Sequence, residues 1–143
     1  MFKSISFENV IFANNGASGR VDIGLIGMEV ATGHANFNIM EMKTGVTVGT
    51  ATLDIHCKGM DIIGFDGQVD FKVFDLDGTQ IFHTMFNSDN GMEGADEFIN
   101  RICKFTCKSE ANVRELMYNA CMAISYASEV YKEHITFGSK HSA

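Results

Sequence analysis

With 143 residues, 45% of them apolar and 20% charged, the chain can form one globular core and lies far from the polar, highly charged composition of disorder. The net charge of −7, from 18 acidic and 11 basic residues, gives no electrostatic reason to expect binding to a nucleic-acid backbone, and the two signs are too interspersed for a nucleic-acid mimic. No run approaches the roughly 18 apolar residues of a membrane span, and the N-terminal stretch MFKSISFENVIFANN lacks the apolar core of a secretory leader. The expectation is a soluble cytoplasmic protein with neither nucleic acid nor membrane among its partners.

The first 87 residues are punctuated by glycine, in NNGASG at 14–19, TG at 32–33, KTG at 43–45, KG at 58–59, DG at 66–67 and DG at 77–78. Between them lie runs rich in Val, Ile, Phe and Thr, of the length and composition of strands. Read as turns, these glycines divide the segment into about six or seven short strands of an antiparallel meander. The clearest strand is VTVGTATLDIHC at 46–57. It puts Thr50, Thr52 and Asp54 on one face and Ala51, Leu53, Ile55 and Cys57 on the other. In QVDFKVFD, Val69, Phe71 and Val73 alternate with Asp70 and Lys72, the pattern of a sheet with one wet face. Glycines inside the apolar runs predict bulges and a curved sheet.

After Asn87 the period changes. Ala95, Phe98, Ile99 and Ile102 share one helical face, with Asp96 and Glu97 in a first turn where the helix dipole favours acids. Val113, Leu116, Met117, Ala120, Ile124, Ala127 and Tyr131 make a longer stripe, with Ser109 as its N-cap. The predicted fold is a single α+β domain over 1–143: a curved antiparallel meander over 1–87, two helices over 88–137 and a polar tail over 138–143.

The string DLDGT at 75–79, following the apolar run FKVF, resembles the first motif of the haloacid dehalogenase-like phosphatases. That resemblance implies Asp75 as nucleophile, Asp77 as proton donor and then base, and a magnesium ion offsetting their charge. The family also needs a Ser or Thr, a Lys and an acidic pair on later parallel strands. Thr84, Lys104 or Lys108, and Asp96–Glu97 are the residues to hand. Read from the residues themselves, Asp77-Gly78 is a two-residue type I′ hairpin turn, repeated one hairpin earlier by Asp66-Gly67, and Asp75 is a solvated or turn-stabilising carboxylate.

Asn14, Asn15, Ser18 and Arg20, in the loop NNGASGR, are the candidate ligand- or partner-binding residues. Consecutive small residues expose backbone N–H groups there, and Arg20 offers a bidentate cation to an anion. Cys57, Cys103, Cys107 and Cys121 read as free thiols of a reducing compartment. Cys103 and Cys107 with His56 and Cys57 form an alternative zinc set, and His56, His83 and His134 are the histidines open to partnering a nucleophilic cysteine. The expectation carried forward names no cofactor, metal or catalytic residue.

Absent proline, with 9 Met and 12 Phe, is a combination we associate with small proteins of phages and other mobile elements. It places the protein in the host cytoplasm if viral. The expected function is a non-enzymatic interaction or assembly module that binds a protein partner or itself. The alternatives are a domain that sequesters a small anionic ligand and a magnesium-dependent phosphatase.

Overall fold

The computed structural model describes residues 5–23, 29–61 and 64–141, with side chains described except at 20–23, 29–31, 57–61, 64–66, 90, 92 and 128–141. Five strands, β1 (Val10–Ile23), β2 (Glu29–Glu41), β3 (Thr47–Asp61), β4 (Gly64–Asp75) and β5 (Gln80–Asn87), pair in chain order in one antiparallel sheet. Helices α1 (Gly91–Thr106) and α2 (Glu110–His141) follow. The α+β class, the antiparallel meander and the C-terminal helix pair are therefore as the sequence predicts.

Among the described residues the strand count is five rather than six or seven, because most of the glycine stretches read as turns are not turns. KTG is one: Gly45 takes a φ of 70°, and its N–H donates to the Glu41 carbonyl at 2.8 Å. Gly78, at φ 81°, is the other. The remaining glycine stretches lie inside strands 12 to 15 residues long. Asp66-Gly67, expected as a turn, sits in β4 with Gly67 opposite Cys57. NNGASG sits in β1, where Asn15 and Gly16 together oppose Asn36 as a bulge and Gly16 has a φ of 118°. Each of the four ladders carries one such irregularity, and a bulge bends its strand and increases its twist.

Strand alternation sorts the side chains onto two faces. The inner face presents Val10, Ala35, Phe37, Ile39, Ala51, Leu53, Phe71 and Val73, all buried, against Phe98, Ile99 and Ile102 of α1 and Val113, Ala120 and Ile124 of α2. Phe105, at the end of α1, stacks on Phe82 of β5 with ring centroids 4.2 Å apart and tilts against Phe7 at 5.1 Å. Phe7 in turn stacks over Phe12 of β1, so one helix end grips both edges of the sheet.

Up to Ala127 the helix stripes fall where their spacing places them, Tyr131 lying outside the residues whose side chains are described. α1 begins at Gly91, however, so Glu93, and not Asp96 or Glu97, stands in its first turn. Ser109 caps α2, its Oγ accepting from the Asn112 N–H at 3.2 Å. Between the helices, Cys107 takes a φ of 54°, and the Lys108 N–H closes back on the Cys103 carbonyl. The polar tail expected from Gly138 is instead helical to His141. No proline stands there to stop the helix, and an interior glycine costs only about 1 kcal/mol.

Gly33 lies directly beneath Ile124. A Cβ on Gly33 would come within 2.2 Å of Ile124 Cγ2, so the closeness of α2 to β2 depends on this residue. Gly33→Ala is expected to destabilise the fold by about 1–3 kcal/mol. Ile124→Ala in the same chain should recover part of that loss, and a double-mutant cycle of urea unfolding measures the coupling. Thr84 faces the core with a buried hydroxyl that has no hydrogen-bond partner. Thr84→Val should therefore raise the unfolding free energy, by about 1 kcal/mol.

Candidate functional site

The helices cover one face of the sheet, and the polar half of every strand forms the other. Register fixes who meets whom on this outer face. Ser18, His34, Asp54 and Asp70 stand opposite one another across β1 to β4. Beside them run Asn36, Thr52, Lys72 and His83 across β2 to β5, and on the other side Thr32, His56 and Gln68 across β2 to β4. Ser18, Thr32, His34, Asp54, His56 and Asp70, with the backbone of neighbouring residues, line an open concavity of about 430 Å³.

Two imidazole–carboxylate pairs organise the centre. His34 Nδ1 lies 2.5 Å from Asp54 Oδ1, and its Nε2 lies 2.7 Å from Asn36 Oδ1. Both ring nitrogens thus face acceptor oxygens, an arrangement that the doubly protonated imidazolium satisfies. Burial works against the charged ring, but the hydrogen bonds from Asp54 and Asn36 and the nearby Asp54 charge outweigh it and raise the His34 pKa above its ordinary 6.5. On the next strands, His83 Nε2 lies 2.8 Å from Asp70 Oδ1, while Gln68 Nε2 donates to Asp70 Oδ2 at 2.9 Å. Burial pushes the Asp70 carboxyl up. Hydrogen bonds from Gln68 and His83 and the charges of His83 and Lys72 prevail and hold it below its ordinary 3.8.

Asp54 and Asp70 are themselves directly opposite on adjacent strands, and like charges so placed repel. Each therefore leans on the histidine to its outside. The order Ser18–His34–Asp54 has the residue types of a hydrolytic triad, and Asp54 holds the imidazole by Nδ1 as such a triad needs. The nitrogen that would activate a serine is engaged by Asn36 instead.

The candidate residues of β1 are split by the pleat and the bulge. Asn14 Oδ1 accepts from the Gly16 N–H at 2.9 Å and so shapes the bulge. Asn15 reaches Asn38 on the outer face at 3.4 Å, and Ser18 lines the concavity. The backbone of Arg20 pairs with Thr32, but its side chain lies outside the described residues, as do those of Cys57 and His134. The stretch is an edge strand rather than the loop expected.

Asp75 has a local task. Its Oδ1 accepts from the N–H groups of Asp77 and Thr79, both at 2.9 Å. The Gly78 N–H donates to the Asp75 carbonyl, and the Asp75 N–H to the Thr79 carbonyl. Only Gly78 has a positive φ here, so the connection is a three-residue loop closed by a glycine bulge, not the type I′ turn expected. Of the residues to hand for the phosphatase resemblance, Thr84 faces the core, and Asp96, Glu97 and Lys108 are engaged elsewhere. α1 begins at the far end of β5, where Asp96 bonds Arg114 and Glu97 bonds Arg101, and Lys108 donates to the Val10 carbonyl at 2.7 Å.

Cys103 lies on α1, beneath the inner face, and His56 on the outer face, so the sheet separates two members of the alternative zinc set. Among the described residues, no three His, Cys, Asp or Glu side chains gather as metal ligands. Burial, then the Glu110 charge, pushes the Cys103 thiol up, away from the thiolate a nucleophile needs. A larger cleft of about 650 Å³ lies between α1 and the start of α2, lined by Asp96, Glu97, Cys103 and Glu110. Its carboxylates are spent on arginines: Glu97 on Arg101 within α1, Glu110 on Arg114 within α2, and Asp96 on Arg114, the pair that ties the two helices together.

No helix among the described residues is long and apolar enough to cross a membrane. Set against protein-family models, curated proteins and solved structures, the chain finds no match, so the outer face is read from its own chemistry. His34, Asn36, Asp54 and Asp70 were not singled out by sequence reasoning. The signal that carries them is the polar half of HANFN, TATLDI and QVDFKV, which alternates with the buried half.

If Asp75 serves the turn, Asp75→Ala should cost about 1–2 kcal/mol by losing two hydrogen bonds to a carboxylate. Asp75→Asn should retain most of that stability, because an amide oxygen still accepts from both N–H groups. Thermal unfolding of the two variants decides it.

Proposed function

We propose that the protein is a non-enzymatic interaction module that docks a protein partner, or a second copy of itself, on the open face of its sheet. The observation that supports this reading is the unequal treatment of the two faces. The inner face is sealed by α1 and α2, while the outer one leaves Asn, Thr, Ser, His and Asp side chains pointing to solvent around a shallow concavity. Specific protein interfaces combine such hydrogen-bonding groups with apolar anchors. Met85 and Ile81 of β5 stand exposed beside the polar rows. The sequestering alternative, with an anionic ligand gripped by Arg20, is less well supported, because Asp54 and Asp70 line the same concavity and would repel an anion. A phage or mobile-element origin, and with it a place in host cytoplasm, belongs to the same proposal and rests on composition.

A photo-crosslinking residue at position 52, in the middle of the outer face, tests the docking surface in cells that produce the protein. The same residue at position 100, exposed on α1, is the control. A discrete adduct from 52 and none from 100 is expected, and its mass distinguishes a self-adduct from a heterologous one. Equal adducts from both positions, or none from 52, would sink the proposal.

A further inference from the structure

We infer that the outer face carries a proton-operated switch, in which the imidazole of His34 offsets the opposed carboxylates Asp54 and Asp70 when protonated and leaves them unbalanced when not. The geometry is the support. Asp54 and Asp70 face each other across β3 and β4, and each carboxylate is held from outside by one imidazole, His34 on β2 and His83 on β5. Loss of the His34 proton takes one positive charge from beside two carboxylates that face each other on adjacent strands.

Among the described residues, other charged groups around the four are few. β1 offers Ser18 opposite His34; the side chain of Arg20 lies outside the described residues. β3 adds His56 beside Asp54, and β4 adds Lys72, which lies directly across from His83. The two helices lie on the other face. Lys72 attracts Asp70 but repels a protonated His83, so it does not replace the imidazolium.

Loss of the proton need not break the pairs. A neutral His34 keeps Nδ1–H on Asp54, and Nε2 then accepts from the amide nitrogen of Asn36 once that side chain turns over. What changes is charge, and with it both stability and the surface that a partner meets. His34, whose folded pKa is raised, contributes stability that is complete below its unfolded value and lost as pH rises through the folded one. Asp70, whose folded pKa is lowered, contributes stability present above its unfolded value and lost as pH falls through the folded one. Stability therefore peaks between the two groups, on the acid side of neutrality. All four side chains are partly solvated, His34 at 37% and Asp54 at 46% exposure, so added salt weakens the effect.

The test is thermal unfolding of the full chain at about pH 5.5 and about pH 8, a span that crosses histidine titration. The wild-type midpoint is expected to fall by several degrees at the higher pH. Asp54→Asn should remove most of that fall by sparing the carboxylate repulsion. His34→Gln should flatten the profile, while His56→Gln should leave it intact. Nitrogen NMR of the His34 ring supplies a readout independent of stability, with both ring nitrogens protonated at pH 5.5. A wild-type midpoint that does not fall, or a His34→Gln profile as steep as the wild type, would overturn the inference. Because every readout is taken on the protein alone, its failure is separate from failure of the docking proposal.

Discussion

A five-stranded sheet has two faces, and two helices can bury only one of them. That constraint governs the molecule. Strand alternation sends every second residue to the covered side, and there the packing is demanding enough that β2 must present glycine under Ile124 and alanine at position 35. The intervening residues receive no cover. They must satisfy one another across the strands or remain solvated, and the hydrogen-bonded pairs of the outer face are the outcome.

The opposed carboxylates show what this sidedness costs. Repulsion between Asp54 and Asp70 would be relieved by any neutral substitution on either strand, so their environment has to offset it. It does so with two imidazoles, one strand out on each side, and with the amide of Gln68. Histidine is the one side chain whose ordinary titration range spans pH 5 to 8. A charge balance built on it is therefore conditional in a way that one built on lysine or arginine would not be.

Periodicity made the helices, the sidedness of the sheet and the antiparallel class legible in the sequence. Phe98, Ile99 and Ile102, or Val69, Phe71 and Val73, leave little choice of face. The glycines misled, because one residue serves three physical purposes that sequence does not separate. Gly45 and Gly78 supply positive φ in turns, Gly16 supplies it within a bulge, and Gly33 merely vacates space for a helix. Once Gly16, Gly33 and Gly67 are taken for turns, strand lengths and cross-strand register are lost. The site is a matter of register: His34 meets Asp54, and Asp54 meets Asp70, only if β2 and β3 turn at 42–45 and Asp61 pairs with Gly64. DLDGT illustrates the converse, a string whose letters suggest catalysis while its carboxylate oxygen is committed to two backbone amides.

The contact between Lys108 and the carbonyl of Val10 joins residues 98 positions apart, close to where Phe105 and Phe7 also meet. All four strand pairings, by contrast, link neighbours in the chain. The meander can therefore assemble by successive short loop closures, whereas seating the helices on β1 requires nearly the whole chain to be in place. Synthesis delivers the first strand early and its cover last. Until α2 emerges, the inner face with Phe37, Leu53 and Phe71 lies open to water, and the nascent chain is at its most vulnerable to misassociation over that interval.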